Sequence, residues 1–108
     1  MSEVNLQNAR VLVVDDNEMN RDILARRLAR LGLRVDTAED GNTGLDMILS
    51  GEYNLVMLDI MMPDIDGIEV LKRTREFFSK TELPVIMATA KDEGADLAEA
   101  LSLGANDY

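Results

Sequence analysis

The chain contains no cysteine and no histidine, and its aromatic residues are limited to two tyrosines and two phenylalanines. Without thiols there are no disulfides and no thiolate metal sites. Without imidazole the usual general base and nitrogen ligand are missing as well. Any metal must therefore be held by oxygen. Positive charge is also scarce: 11 Lys and Arg face 21 Asp and Glu, for a net charge of −10. That balance excludes nucleic-acid binding by this domain itself, because a phosphate backbone needs a basic footprint. No apolar run approaches the roughly 20 residues of a membrane-spanning helix. The first ten residues carry Ser, Glu, Asn and Gln where an export signal would have an apolar core, so a cytoplasmic location is expected.

What is present is 108 residues, 46% hydrophobic and 30% charged, the composition of a globular protein. The length fits a single domain, with residues 1–9 as an N-terminal extension and 10–108 as the core. Val11-Leu12-Val13-Val14 is a continuous β-branched run, as in a strand buried on both faces, and it stops on Asp15 and Asp16. From 18 to 31, Met19, Ile23, Leu24, Leu28 and Leu31 recur at helical spacing between Asn17, a candidate cap, and Gly32. A short strand over 33–37 and a helix over 39–50 follow. Leu45, Ile48 and Leu49 are expected to face inward there, and Gly41 and Gly44 weaken that helix. Residues 54–59 predict the third strand, 68–78 a helix, 85–89 the fourth strand and 92–103 a last helix. This alternation predicts an α/β fold with a parallel sheet covered by helices on both faces.

Asp15/Asp16, Asp59 and Thr89 each end a predicted strand, and parallel strands bring such ends to one edge. Ligands of open α/β sheets bind at that edge. Asp59 alone reads equally well as a turn residue before the Pro63 to Gly67 loop. Clustered carboxylates repel one another, however, and call for a proton or cation. Mg2+ suits a few carboxylates, a carbonyl and waters, and a carboxylate beside it can attack phosphorus to form an acyl phosphate. Asp64-x-Asp66-Gly67 does not make a calcium loop, since Met62 and Arg73 stand where ligands are needed. Arg21, Arg26, Arg27, Arg30 and Arg34 read as a solvated helix face, with partner docking as the alternative.

Val13-Val14-Asp15-Asp16-Asn17, Leu58-Asp59 with Met62-Pro63 and Asp66-Gly67, Ala88-Thr89-Ala90, and Gly104-Ala105-Asn106-Asp107-Tyr108 together resemble the receiver domain of two-component response regulators. The resemblance implies a flavodoxin-like, doubly wound parallel sheet of strand order 2-1-3-4-5. It implies Asp59 as phosphoacceptor, fed by a histidine kinase or histidine phosphotransfer protein and switching an output domain or downstream effector. It implies Mg2+ on Asp16 and Asp59, on Asp15 through water, and on the main-chain carbonyl of Met61. Thr89 matches the residue that contacts the phosphoryl group, and Tyr108 matches the switch aromatic. Such a module is a switch that modifies itself rather than an enzyme.

In that family a lysine stands three residues beyond the aromatic, in a fifth strand followed by a fifth helix. The sequence stops at Tyr108. The expectation is an incomplete receiver that forms a homodimer or swaps elements to cover its open edge. Two alternatives accompany this reading. One is a folded receiver fragment without phosphoacceptor activity. The other is an Mg2+-dependent phosphohydrolase of the haloacid dehalogenase type, which Asp59-Ile60-Met61 disfavours because it lacks the second acid of D-x-D.

Overall fold

The structure is a computed structural model and describes residues 9–60, 62 and 64–87. Within these, β1 (Arg10–Val14), α1 (Glu18–Arg30), β2 (Arg34–Ala38), α2 (Gly41–Leu49), β3 (Leu55–Leu58), α3 (Gly67–Arg75) and β4 (Val85–Met87) alternate along the chain. The strands form one parallel sheet in the order β2-β1-β3-β4, as the flavodoxin-like expectation requires. The expected last helix lies outside the described residues.

Each of the three described helices starts on a side-chain cap. Asn17 accepts from the Asn20 N–H at 2.9 Å, Asp40 from Thr43 at 2.7 Å, and Asp66 from Glu69 at 2.9 Å. These bonds satisfy donors that the first helical turn leaves open. The core is built on β1, whose Val11 to Val14 are at most 1% exposed, and on Val56, Leu58, Val70, Leu71, Val85 and Met87. α2 packs on α3 and on β1, where a Cβ at Gly44 would stand 2.8 Å from both Val14 methyls. The glycine that costs helix propensity therefore permits the close approach of helix to sheet.

Several boundaries and faces differ from expectation. α2 begins after Asp40, because that residue is extended and serves as the cap. Leu49 is 42% exposed, since it lies a full residue's rotation beyond the buried Ile48. α3 ends at Arg75, whose guanidinium donates to the carbonyls of Phe78, Ser79 and Leu83, and Phe78 reaches the core from the loop. α1 departs most: it buries no residue, and Met19 is 71% exposed. Periodicity marks an apolar stripe, but only the neighbouring elements decide whether it is covered. The basic face is partly as expected: Arg26 pairs with Asp22 in the open, but Arg21 turns back to the end of β1.

At the opposite end of the sheet, Arg10 reaches Glu52 at 2.6 Å and Asp36 at 3.3 Å and lies over the Tyr53 ring. The Tyr53 hydroxyl donates to Asp36 at 2.7 Å. Burial, reinforced by this hydrogen bond to a carboxylate, pushes the phenol up to about 12. A raised folded-state value means that the stabilisation is complete below the unfolded value of 10.0 and is lost as pH rises toward about 12. Tyr53→Phe is expected to lower stability by about 1 kcal/mol at neutral pH. In urea titrations the gap between the two proteins should close over that alkaline window.

Candidate metal and phosphoryl site

The site begins where the strand ladder ends. Val14 is paired with Ala38 on one side and Leu58 on the other, and the next residues, Asp15 and Asp59, still hydrogen-bond to this frame. The Asp15 N–H donates to the Ala38 carbonyl at 3.1 Å and the Asp59 N–H to the Val14 carbonyl at 2.9 Å. Both carboxylates therefore leave a fixed backbone at the carboxyl end of adjacent strands. The chain steps from β1 outward to β2 and then returns to β3 on the other side of β1. The crevice between β1 and β3 is thus the topological switch point of the sheet, where ligands of such folds bind.

Carboxylate oxygens of Asp15, Asp16 and Asp59 lie within 4.8 Å of one another. Asp15 is buried, Asp59 half-buried and Asp16 exposed, so the cluster is open to solvent on one side. An Asp15 carboxylate oxygen accepts from the Asn17 N–H at 2.9 Å, and Arg21 donates to the Asp15 main-chain carbonyl, also at 2.9 Å. With Asn17 capping α1, these bonds fix the turn that presents Asp15 and Asp16.

Two unit charges about 4 Å apart repel by roughly 4 kcal/mol at the effective dielectric of a protein surface. A cation seated among the three carboxylates would offset that repulsion. The donor set is all oxygen and contains few protein ligands, which fits Mg2+, an octahedral ion that keeps several of its waters, better than Ca2+, which draws more of its ligands from the protein. The structure brings together the three predicted acids. Met61, Thr89 and Tyr108 lie outside the described residues.

The described residues between β3 and α3 are tied down at two points. The Gly67 N–H donates to the Ile60 carbonyl at 2.8 Å, and a Cβ on Gly67 would fall 2.1 Å from the Asp59 carbonyl oxygen. Residue 67 must therefore be glycine for the chain to return so close to the acceptor. Further along, the Asp64 carboxylate accepts from the N–H groups of Gly41 at 3.0 Å and Asn42 at 2.8 Å, at the start of α2. The Asn42 N–H above all, with that of Gly41, holds the Asp64 carboxyl below the ordinary carboxylate range despite some desolvation. In the sequence Asp64 stands out only within the rejected calcium loop, and Asp66 there and as part of the receiver-like Asp66-Gly67 motif. The Asp66-x-x-Glu69 spacing does signal a helix cap. Nothing local signals Asp64, whose partners are 22 and 23 residues away.

Comparison with known proteins adds an independent line. The sequence profile described as the response regulator receiver domain matches residues 11–108. Transcriptional regulatory protein DltR of Streptococcus agalactiae serotype III is 46% identical over 99 residues, covering 92% of this chain and 43% of DltR. The chain thus spans less than half the length of the curated relatives it matches. Among solved structures, a CheY-like receiver domain protein from Methanospirillum hungatei superposes with a TM-score of 0.86 at 28% identity, over 94% of this chain and 80% of that one. The receiver domain of Francisella response regulator 1452 gives 0.84 at 33% identity, over 94% and 82%.

Proposed function

The chain belongs to the response regulator receiver domain family, and on that premise we propose that it is the phosphoacceptor module of a two-component phosphorelay. The observation that carries the proposal is the cluster of Asp15, Asp16 and Asp59 at the β1/β3 switch point. In the proposed reaction an Asp59 oxygen attacks the phosphorus of a phosphohistidine on a histidine kinase or phosphotransfer protein. The P–N bond breaks, its electron pair returns to the imidazole, and Asp59 becomes an acyl phosphate.

Asp15, Asp16 and Asp59, with the Met61 carbonyl, would hold Mg2+, which when bound offsets the charge of acceptor and phosphoryl oxygens. The fixed turn at Asp15 and the ladder bond at Asp59 position the nucleophile in advance. Thr89 would then donate to a phosphoryl oxygen and Tyr108 would follow it inward. We read the module as a switch for an output domain or downstream effector and not as an enzyme in its own right. The phosphohydrolase alternative has no second acid in D-x-D spacing to support it.

The net charge of −10 supports a role without nucleic-acid contact by this domain. Among the described residues no helix is long and apolar enough to cross a membrane. We place the module in the cytoplasm, where a phosphorelay of this kind operates. Self-association is part of the proposal, supported by the exposed Met19 and Ile23 of α1. A monomeric mass by light scattering at high micromolar concentration would remove it.

The central test is intact mass after incubation with Mg2+ and acetyl phosphate. The proposal expects a phosphoryl adduct that requires Mg2+. A folded chain that gains none would overturn it and leave the inactive-fragment reading.

A further inference from the structure

Resting on the metal-site reading above, we infer that Asp64 is a positioning residue for the acidic cluster, acting by tying the segment after Asp59 to the N-terminus of α2. The chain leaves the sheet at the acceptor, and the Gly67 N–H at the start of α3 meets the Ile60 carbonyl at 2.8 Å. A segment closed only at its base would be free to swing. Here the carboxylate of Asp64 spans two N–H groups of α2 with one oxygen each, to Gly41 at 3.0 Å and Asn42 at 2.8 Å.

The backbone contact beneath this bond is equally close. A Cβ on Gly41 would stand 2.5 Å from the Ile65 carbonyl oxygen and 2.6 Å from its Cγ1, so the segment rests directly on the start of the helix. α2 is anchored in turn, because Leu45 and Ile48 are buried and Gly44 lies against Val14 of β1, next to Asp15. The clamp therefore connects the segment after Asp59 to the strand that ends in the other acids. Charge-assisted bonds to two backbone donors are stronger and more directional than neutral ones. Supporting contacts of this kind decide how well a metal site is held.

Two readouts test the inference. In Asp64→Ala, amide hydrogen exchange without metal is expected to accelerate at Gly67 as well as at Gly41 and Asn42, and the Mg2+ dissociation constant by calorimetry is expected to rise about 10-fold. Asp64→Asn removes the same charge but retains one acceptor, so its dissociation constant should fall between those of the parent and Asp64→Ala. Gly41→Ala keeps the charge and both acceptors while pushing Ile65 away, and it should weaken Mg2+ binding too. Circular dichroism identifies any variant that has not folded. Asp64→Asn equal to Asp64→Ala with Gly41→Ala unchanged would make Asp64 a mere charge and overturn the inference, as would an unaltered dissociation constant in Asp64→Ala. If the parent takes no Mg2+, the functional proposal fails separately and the Gly67 amide decides: unchanged exchange there overturns the positioning role.

Discussion

Asp59→Asn is expected to abolish the phosphoryl adduct completely while making the metal-free protein more stable. The substitution retains size and one carbonyl oxygen but removes the anionic nucleophile, so no acyl phosphate can form. It also removes one of three mutually repelling charges within 4.8 Å of one another. Relief of that repulsion is worth about 1 kcal/mol or more, since the roughly 4 kcal/mol per pair at 4 Å and an effective dielectric of about 20 falls further where exposed groups and salt screen the charges. The melting temperature without Mg2+ should rise, and the increase expected on adding Mg2+ to the parent through linkage should shrink. Intact mass and thermal scans with and without Mg2+ read both effects. An adduct that persists in Asp59→Asn would place the acceptor elsewhere.

Gly67→Ala is expected to cost about 3 kcal/mol or more, the upper range for forcing atoms into a packed site. The added Cβ would sit 2.1 Å from the Asp59 carbonyl oxygen, 2.9 Å from its carbonyl carbon and 2.9 Å from the Ile60 Cα. All three are backbone atoms that cannot rotate away, so either α3 or the end of β3 must shift. Either movement breaks the bond from the Gly67 N–H to Ile60 and displaces Asp59 from its partners. Gly51→Ala provides the comparison. Gly51 has a φ of +78° but nothing within 4 Å of the added atom, so it carries only the conformational penalty, about 1 kcal/mol. Urea denaturation midpoints should rank Gly67→Ala well below Gly51→Ala. Similar midpoints would show that the return at residue 67 is not sterically constrained.

The sequence by itself determined the α/β alternation, the continuous buried strand β1, the Asn17 cap of α1 and the placement of acids where β1 and β3 end. These features are local. A strand run, a cap or a helical repeat is decided by residues within a few positions of one another, and parallel alternation then forces the strand ends to one edge. The convergence of Asp15, Asp16 and Asp59 follows from that rule.

Tertiary structure alone decided which faces are covered and what holds the site in place. The apolar stripe of α1 is plain in the sequence, yet Met19, Ile23 and Leu31 are exposed, because burial depends on an opposing surface and not on period. Gly67 reads as ordinary turn chemistry until the Asp59 carbonyl is seen against it. Asp64 reads as one more acid in a loop until α2 is docked on β1 and presents two N–H groups to it. Each of these depends on segments meeting after the sheet has set its register, and no local pattern records which distant donor a carboxylate will find.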